Sequence, residues 1–148
     1  MLKKHDFFDS ELNLKGKDFV SKYTPETIAG DKVVIDQASG LMWHQGGSDN
    51  RMIYEDAQKW IAELNKKGYA GYKDWRLPTL EETMSLMEPK KNKSNDFYID
   101  PVFDMIQDGC YWTSDLYISD WAWEVYFDVG YCQYFGRFDM DNYVRAVR

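Results

Sequence analysis

Two stretches in the first half of the chain carry the hydrophobic period of an α-helix. In residues 54–67 the apolar positions fall three or four apart with charged side chains between them, which predicts an amphipathic helix of about 14 residues. Gly68 follows as the expected C-terminal stop. Thr79 and Glu82 form a capping box that predicts the start of a second helix, and Pro89 marks its end.

Most of the remaining pattern has the period of two that is typical of strands. Asp31 to Trp43 predicts a hairpin with its turn near Gly40. From residue 121 to 127, Trp, Trp, Val and Phe alternate with Ala, Glu and Tyr, which predicts a strand in a sheet with one covered face. Further strands are predicted at residues 111–114, 131–137 and 142–147, with a turn at 128–130. Two helices followed by an antiparallel sheet indicate the α+β class.

The chain divides into an arm and one domain. Residues 1–30 are mixed and polar with irregularly spaced apolar side chains, so we expect an N-terminal arm, partly helical, that packs on a domain of residues 31–148. The start of the chain has no apolar core, so no signal peptide is predicted. No segment has the ~20 apolar residues of a membrane span, so membrane insertion is not expected. The compartment stays open between the cytoplasm and a fragment of a larger exported protein.

The charge and the aromatic content limit the classes of partner that the chain is expected to bind. The 148-residue chain has a net charge of −7 and no basic stripe, so nucleic acids, anionic membranes and sulfated polysaccharides are poor partners. Aromatic residues make up 17% of the chain, which is more than one small core needs. Some of these rings are expected at the surface, where Tyr and Trp give large contact area at small entropic cost.

Candidate catalytic residues are sparse. His5 and His44 are far apart in the sequence, whereas zinc and non-haem iron sites normally use several His or Cys ligands. We interpret His44 as a surface loop residue. Cys110 and Cys132 lie in no CxxC and are interpreted as buried free thiols, with a disulfide as the alternative in an oxidising compartment. The oxygen side chains of residues 139–142 fit a turn better than a calcium site. We therefore expect no enzyme activity, no cofactor and no metal.

Three segments carry motifs of one known family. They are Ser39-Gly40-Leu41-Met42-Trp43, then Asp74-Trp75-Arg76-Leu77-Pro78-Thr79, and finally Tyr111-Trp112-Thr113-Ser114 with the closing Tyr143-Val144-Arg145-Ala146-Val147-Arg148. From about residue 31 to 148 the chain resembles the Lcl C-terminal domain family, the domain at the C-terminus of a bacterial collagen-like adhesin.

The resemblance implies a C-type-lectin-like fold, related to that of the formylglycine-generating enzymes, in which two helices flank a twisted antiparallel sheet. It also implies a binding role such as adhesion to host surfaces. Some similar domains are the variable proteins of diversity-generating retroelements, whose ligand surface lies on the stretch that matches residues 111–148.

We predict a ligand surface on the C-terminal sheet, where Tyr, Trp, Ser, Asp and Arg side chains lie on strands and loops, as in paratopes and interface hot spots. The candidate residues are Tyr117, Ser119, Asp120, Trp121, Tyr126, Tyr131, Gln133, Tyr134 and Arg137. The expected ligand is a protein or a neutral or cationic glycan, and the oligomeric state is open.

Structural roles are expected for other members of the motifs. Trp112 and Trp123 are expected in the core. Arg76 is expected to bind a carboxylate or loop carbonyls, and Arg145 and Arg148 to pair with acids.

Two alternative functions remain: a regulatory or structural appendage of a larger protein, and a metal-dependent oxidase of the formylglycine-generating kind. The oxidase would require a reactive cysteine pair, and neither cysteine of this chain lies in a matching motif.

Overall fold

The computed structural model describes residues 6–16, 21–105 and 108–148. Residues 1–5 and 17–20 of the predicted arm, with His5 and Phe19 among them, lie outside the described residues, as do residues 106–107.

The first sheet is antiparallel and contains β1 (Tyr23–Ile28), β2 (Asp31–Asp36) and β3 (Met42–His44) in that order. β2 and β3 are the predicted hairpin, which is confirmed. β1 comes from the segment predicted as the arm, so this part of the arm is a strand and not a helix. Ala29 and Gly30 between β1 and β2 have φ of 52° and 90°, the left-handed backbone that two-residue hairpin turns require.

The second sheet is also antiparallel and contains β4 (Cys110–Ile118), β5 (Trp121–Tyr126) and β6 (Tyr131–Gly136) in that order. Two of these strands lie where the alternation predicted them, and the turn between them contains Gly130 with φ of 84°. β4 runs four residues further than the predicted segment 111–114. It therefore carries Tyr117 out to the tip of a hairpin.

Two α-helices connect the sheets. α1 (Tyr54–Lys67) has the predicted length, and the left-handed Gly68 ends it by donating its N–H to the Leu64 and Asn65 carbonyls. α2 (Leu80–Met84) begins at the predicted capping box, in which the Thr79 hydroxyl and the Glu82 carboxylate each accept a backbone N–H of the other residue. It ends well before Pro89, because the chain turns after Met84 and buries Leu86 and Met87 in the core.

The class α+β is confirmed, but the expected single sheet flanked by two helices is wrong. The two sheets are separate. The closing segment 142–148, of which residues 142–147 were predicted as a strand, forms only isolated bridges. Its carbonyls and N–H groups are shared between partners: Arg148 bonds to Met42 of the first sheet at 2.9 Å, and Tyr143 accepts from Trp112 of the second at 3.1 Å. A segment that changes partner every few residues cannot build a ladder, so it joins the sheets without merging them.

Core residues lie on both faces of the second sheet. Side chains at alternate positions of β4 and β5 lie in two different hydrophobic core clusters. Tyr111 and Val125 belong to one cluster, and Trp112 and Ala122 belong to the other. The prediction of one covered face is therefore wrong at this end of the sheet. Trp112 is fully buried, as expected, whereas Trp123 is only partly buried.

Candidate ligand-binding surface

The second sheet is covered at one end and open at the other. Along β4, residues 110–113 are buried, whereas Ser114 and residues 116–118 are exposed. Four large apolar side chains of the β4–β5 hairpin are 40–55% exposed: Leu116, Tyr117, Ile118 and Trp121. Large apolar side chains exposed together at one end of a sheet are typical of an interaction site.

Four aromatic rings at this end form one contact network, which we call the aromatic patch: Tyr117, Trp121, Trp123 and Tyr134. Tyr134 lies at its centre. It stacks on Tyr117 with centroids 3.9 Å apart and planes 6° apart. Trp123 and Trp121 meet it edge-on at 5.0 Å and 5.9 Å. Because each ring is held by its neighbours in a favoured geometry, the patch is a preorganised platform.

The alternation of side chains along a strand builds the patch. Trp121 and Trp123 are two positions apart on β5, so both point to one face of the sheet. Tyr134 of β6 pairs with Trp123 in the register of the two strands and shares that face. Trp123 packs against the core cluster that contains Tyr111, which anchors the patch on its inner side. It was expected as a core residue, and its membership of the patch was not predicted.

The predicted site residues fall in three places. Five lie in the patch or in the exposed turn beside it: Tyr117, Ser119, Asp120, Trp121 and Tyr134. Three lie at positions of the opposite parity, on the other face of the sheet: Tyr126, Tyr131 and Gln133. Arg137 follows β6, and its guanidinium carbon lies 4.8 Å from the Phe138 ring centroid.

The opposite face contains a buried polar cluster that the sequence analysis did not predict. Glu124 is fully buried and accepts a 2.6 Å hydrogen bond from the Tyr126 hydroxyl. The Cys110 thiol donates to the Asn142 side-chain oxygen at 2.8 Å. Burial raises the pKa of the Glu124 carboxyl, since desolvation disfavours its charged form. Tyr126, a predicted ligand contact, is therefore tied into an internal network.

The Asp74–Thr79 string stabilises the scaffold, as expected. Trp75 is 2% exposed and donates its indole N–H to the Tyr69 carbonyl at 3.0 Å. The Arg76 guanidinium forms two 2.7 Å hydrogen bonds to the Glu82 carboxylate.

The two arginines of the closing segment have different partners. Arg148 pairs with Asp74 at 2.7 Å and 3.1 Å, which confirms the expected pairing with an acid. For Arg145 that expectation is wrong. It is 2% exposed and donates to the backbone carbonyls of His44 and Asp104 at 3.0 Å and 2.6 Å, and to that of Gln45.

One comparison decides the family. The sequence model of the Lcl C-terminal domain family matches residues 32–148. The chain belongs to this family. Membership of the Lcl C-terminal domain family indicates an adhesin-like or recognition module. No curated protein matches the chain significantly. Among the helices formed by the described residues, none is long and apolar enough to cross a membrane.

The two thiols of this Lcl C-terminal domain are buried and free. Burial is the main cause that raises the pKa of both Cys110 and Cys132, whereas a nucleophilic thiolate requires a lowered pKa. In the described part of the chain, no group of three or more His, Cys, Asp or Glu residues could hold a metal ion. In the segment 139–142, Asp141 lies 3.7 Å from Arg51 and Asn142 accepts from Cys110, so both side chains have partners within the chain.

His44 is half-buried, so its interpretation as a surface residue is wrong. Its ring stacks on Tyr69 with centroids 4.3 Å apart, and its Nδ1 accepts the Gly47 N–H at 2.8 Å. Burial, with the charge of Arg145 as a second cause, lowers the pKa of His44 to about 4. The His44 ring is therefore uncharged in the folded chain at neutral pH.

This pKa gives a testable pH dependence. The unfolded chain binds a proton at His44 near its ordinary pKa of 6.5, whereas the folded chain binds it near 4. Stability should therefore fall as the pH decreases from about 6.5 to 4, by about 2–3 kcal/mol from this group. His44→Gln keeps a hydrogen-bond acceptor and does not titrate. We therefore expect the stability of this variant to lack the pH-dependent loss that comes from His44. Urea denaturation of both proteins at pH values between about 7 and 4 measures it, and a constant stability difference over that range would contradict the assignment.

Proposed function

We propose that this domain is a non-catalytic recognition module that binds a protein or a neutral or cationic glycan through the aromatic patch. The observation that carries the proposal is the exposure of stacked rings on a rigid sheet, with Tyr117 at 51% and Trp121 at 40%. Exposing these rings to water opposes folding, and covering them with a ligand removes that cost. Tyr and Trp are also the residue types that dominate binding energy at interfaces.

The chemistry of the patch favours an uncharged or cationic ligand group. Aromatic faces attract apolar groups and cations. The neighbouring Tyr117 hydroxyl raises the pKa of Tyr134, which keeps this phenol neutral. The net charge of the chain is −7, which opposes the approach of anions.

The state of the thiols supports a non-catalytic role. Cys110 and Cys132 are 1% and 4% exposed, and the pKa of each is raised. The oxidase alternative requires a thiol that a substrate can reach and that ionises readily. Neither property is present at these two residues.

We further propose that the fold is C-type-lectin-like and that the hairpin region is diversified as in a retroelement variable protein. Membership of the Lcl C-terminal domain family supports the first point, and the exposure of Tyr117 and Ser119 supports the second. Sequencing of the locus tests the second. A near-identical template repeat of the DNA that encodes residues 111–148, next to a reverse transcriptase gene, is expected, and its absence would remove this part of the proposal.

Alanine substitutions in the patch test the binding function. A glycan array and a panel of cell-surface proteins identify a ligand for the unmodified domain. We then expect Tyr117→Ala, Trp121→Ala and Tyr134→Ala each to weaken binding of that ligand about 10–100-fold, since hot-spot truncations cost about 2 kcal/mol or more. Titration calorimetry measures the affinity, and thermal unfolding measures the melting temperature of each variant.

Tyr131→Ala is the matched control, because Tyr131 is a tyrosine of the same sheet on the opposite face. It should leave the affinity unchanged. Binding that survives all three patch substitutions, or that is lost equally in the control, would place the ligand elsewhere.

A further inference from the structure

A groove lined by α1 lies outside the aromatic patch. Its larger part is a cavity of about 550 Å³ between α1, residues 75–79 and Ser114. Three residues of its lining, Ile61, Trp75 and Leu77, are apolar and at most 9% exposed. Both the volume and the apolar lining are typical of a small-molecule site.

A second cavity, of about 190 Å³, adjoins the first and shares Tyr54 and Gln58 with it. Arg137 and Phe138 line this part. The guanidinium carbon of Arg137 lies 4.8 Å from the Phe138 centroid and 5.9 Å from the Tyr54 centroid. Because the Arg137 carbonyl accepts the Tyr54 N–H at 3.2 Å, the arginine is fixed at the start of α1. The groove therefore has an apolar end and a cationic end.

Arg137 differs from the other arginines of the chain. Four arginine side chains donate to a carboxylate or a carbonyl: Arg51, Arg76, Arg145 and Arg148. Among the residues that the structure describes, none accepts a hydrogen bond from the Arg137 guanidinium. Its Nε is shielded from solvent and unpaired, as is the Nε of Arg145. Glu55 also lines the cavity, but its carboxylate lies 3.3 Å from Lys59 Nζ.

We propose that this groove binds a small organic acid, with its apolar group in the larger cavity and its carboxylate hydrogen-bonded to Arg137. A guanidinium matches a carboxylate in charge and in the spacing of its donors. Arg76 also lines the groove, but Glu82 already occupies its guanidinium. One molecule can therefore do both: its carboxylate pairs with the Arg137 guanidinium, and its apolar group fills the cavity beside it. This site shares no lining residue with the aromatic patch.

Phenylbutyrate and its uncharged amide, phenylbutyramide, are a matched pair of probes. Both fit an apolar cavity, but only the acid carries a carboxylate. Amide chemical shifts of the full chain, followed by NMR, should show the acid binding about 10-fold more tightly than the amide. Arg137→Gln should reduce binding of the acid to the level of the amide and leave binding of the amide unchanged. Arg51→Gln is the control for loss of one positive charge and should have no effect.

Two further variants sharpen the test. Gln58→Trp, which fills the junction of the two cavities, should abolish binding of both probes. Glu55→Gln, which removes the acid that lines the cationic end, should strengthen binding of phenylbutyrate. Trp121→Ala in the aromatic patch should leave both affinities unchanged, so failure of one site is distinguishable from failure of the other.

Several outcomes would overturn the proposal. Equal affinity for acid and amide would remove the role of Arg137, as would unchanged binding in Arg137→Gln. Binding that survives Gln58→Trp would place the probe outside the groove. A peptide with a free apolar C-terminus that binds about 10-fold more tightly than phenylbutyrate would make the occupant a peptide and not a small acid.

Discussion

Replacing Arg145 by methionine is expected to lower the free energy of unfolding by about 3–4 kcal/mol. Methionine keeps much of the side-chain volume, so the loss reports the hydrogen bonds of the guanidinium together with its contacts to the Phe103 and Tyr111 rings. Arg145 donates to carbonyls of His44, Gln45 and Asp104, and also to the Tyr111 hydroxyl at 3.2 Å. These acceptors belong to the end of β3, to the loop before β4 and to β4 itself. Without the guanidinium these part-buried acceptors lose a charged donor, and only the Gln45 carbonyl keeps a second one among the described residues, the Asp104 N–H at 3.2 Å.

Arg148→Met is the matched control, because Arg148 lies on the same closing segment but pairs with an exposed carboxylate. The Asp74 side chain is 63% exposed, so water replaces the lost partner. We expect a much smaller loss of stability than for Arg145→Met. Urea denaturation monitored by tryptophan fluorescence compares the two variants. Equal losses would mean that the carbonyl cluster around Arg145 contributes no more than a surface pair.

Replacing Trp112 by alanine is the second change with a large expected effect, a loss of about 3–5 kcal/mol. Trp112 is fully buried, meets the Tyr54 ring edge-on at 5.4 Å and donates its indole N–H to the Met52 carbonyl at 2.8 Å. It therefore holds the second sheet against the start of α1. Alanine leaves a cavity there that the surrounding strands and helix cannot fill. Trp112→Phe keeps a ring and loses the hydrogen bond, so a loss of about 1–2 kcal/mol is expected.

Trp121→Ala is the control of the same residue type in the same sheet. Trp121 is 40% exposed, and surface substitutions usually change stability by less than about 0.5–1 kcal/mol. Chemical denaturation measures the free energy of unfolding of the three variants. If Trp112→Ala does not fold, the comparison of Trp112→Phe with Trp121→Ala still tests the prediction. A Trp121→Ala loss as large as that of Trp112→Phe would mean that the patch stabilises the fold, which would weaken its assignment as a ligand surface.

The alternation from Trp121 to Phe127 shows where sequence analysis was insufficient. The period of two predicted the strand, and the strand is there. The pattern also predicted that one face of the sheet is covered. In the structure Glu124 is fully buried, whereas Trp121 lies at the surface. Periodicity divides residues between two faces, but which face is covered depends on the elements that pack on it.

The candidate site was likewise predicted only in part from the sequence. Tyr117, Trp121 and Tyr134 were predicted from residue type and position, and they meet in one patch. Tyr126 and Tyr131 have the same residue type, but their strand positions place them on the opposite face. Residue type alone could not separate these groups, because the register of β5 and β6 decides which tyrosines are neighbours.

Local structure could be predicted from short stretches of the sequence. The helix of residues 54–67 with its stop at Gly68, the capping box at Thr79 and the strands on either side of Gly130 follow from contacts within a few residues, which the pattern records directly. The family follows from motifs of the same local kind, because their residue types and order can be compared without coordinates.

The arrangement of these elements could not be predicted in that way. The separation into two sheets, the role of Arg145 between them, the buried Glu124 and the unpaired Arg137 depend on contacts between residues far apart in the chain. Such contacts are set by how side chains of distant segments fill space and satisfy hydrogen bonds together. No short pattern records that, so the groove and the composition of the aromatic patch became visible only in the folded chain.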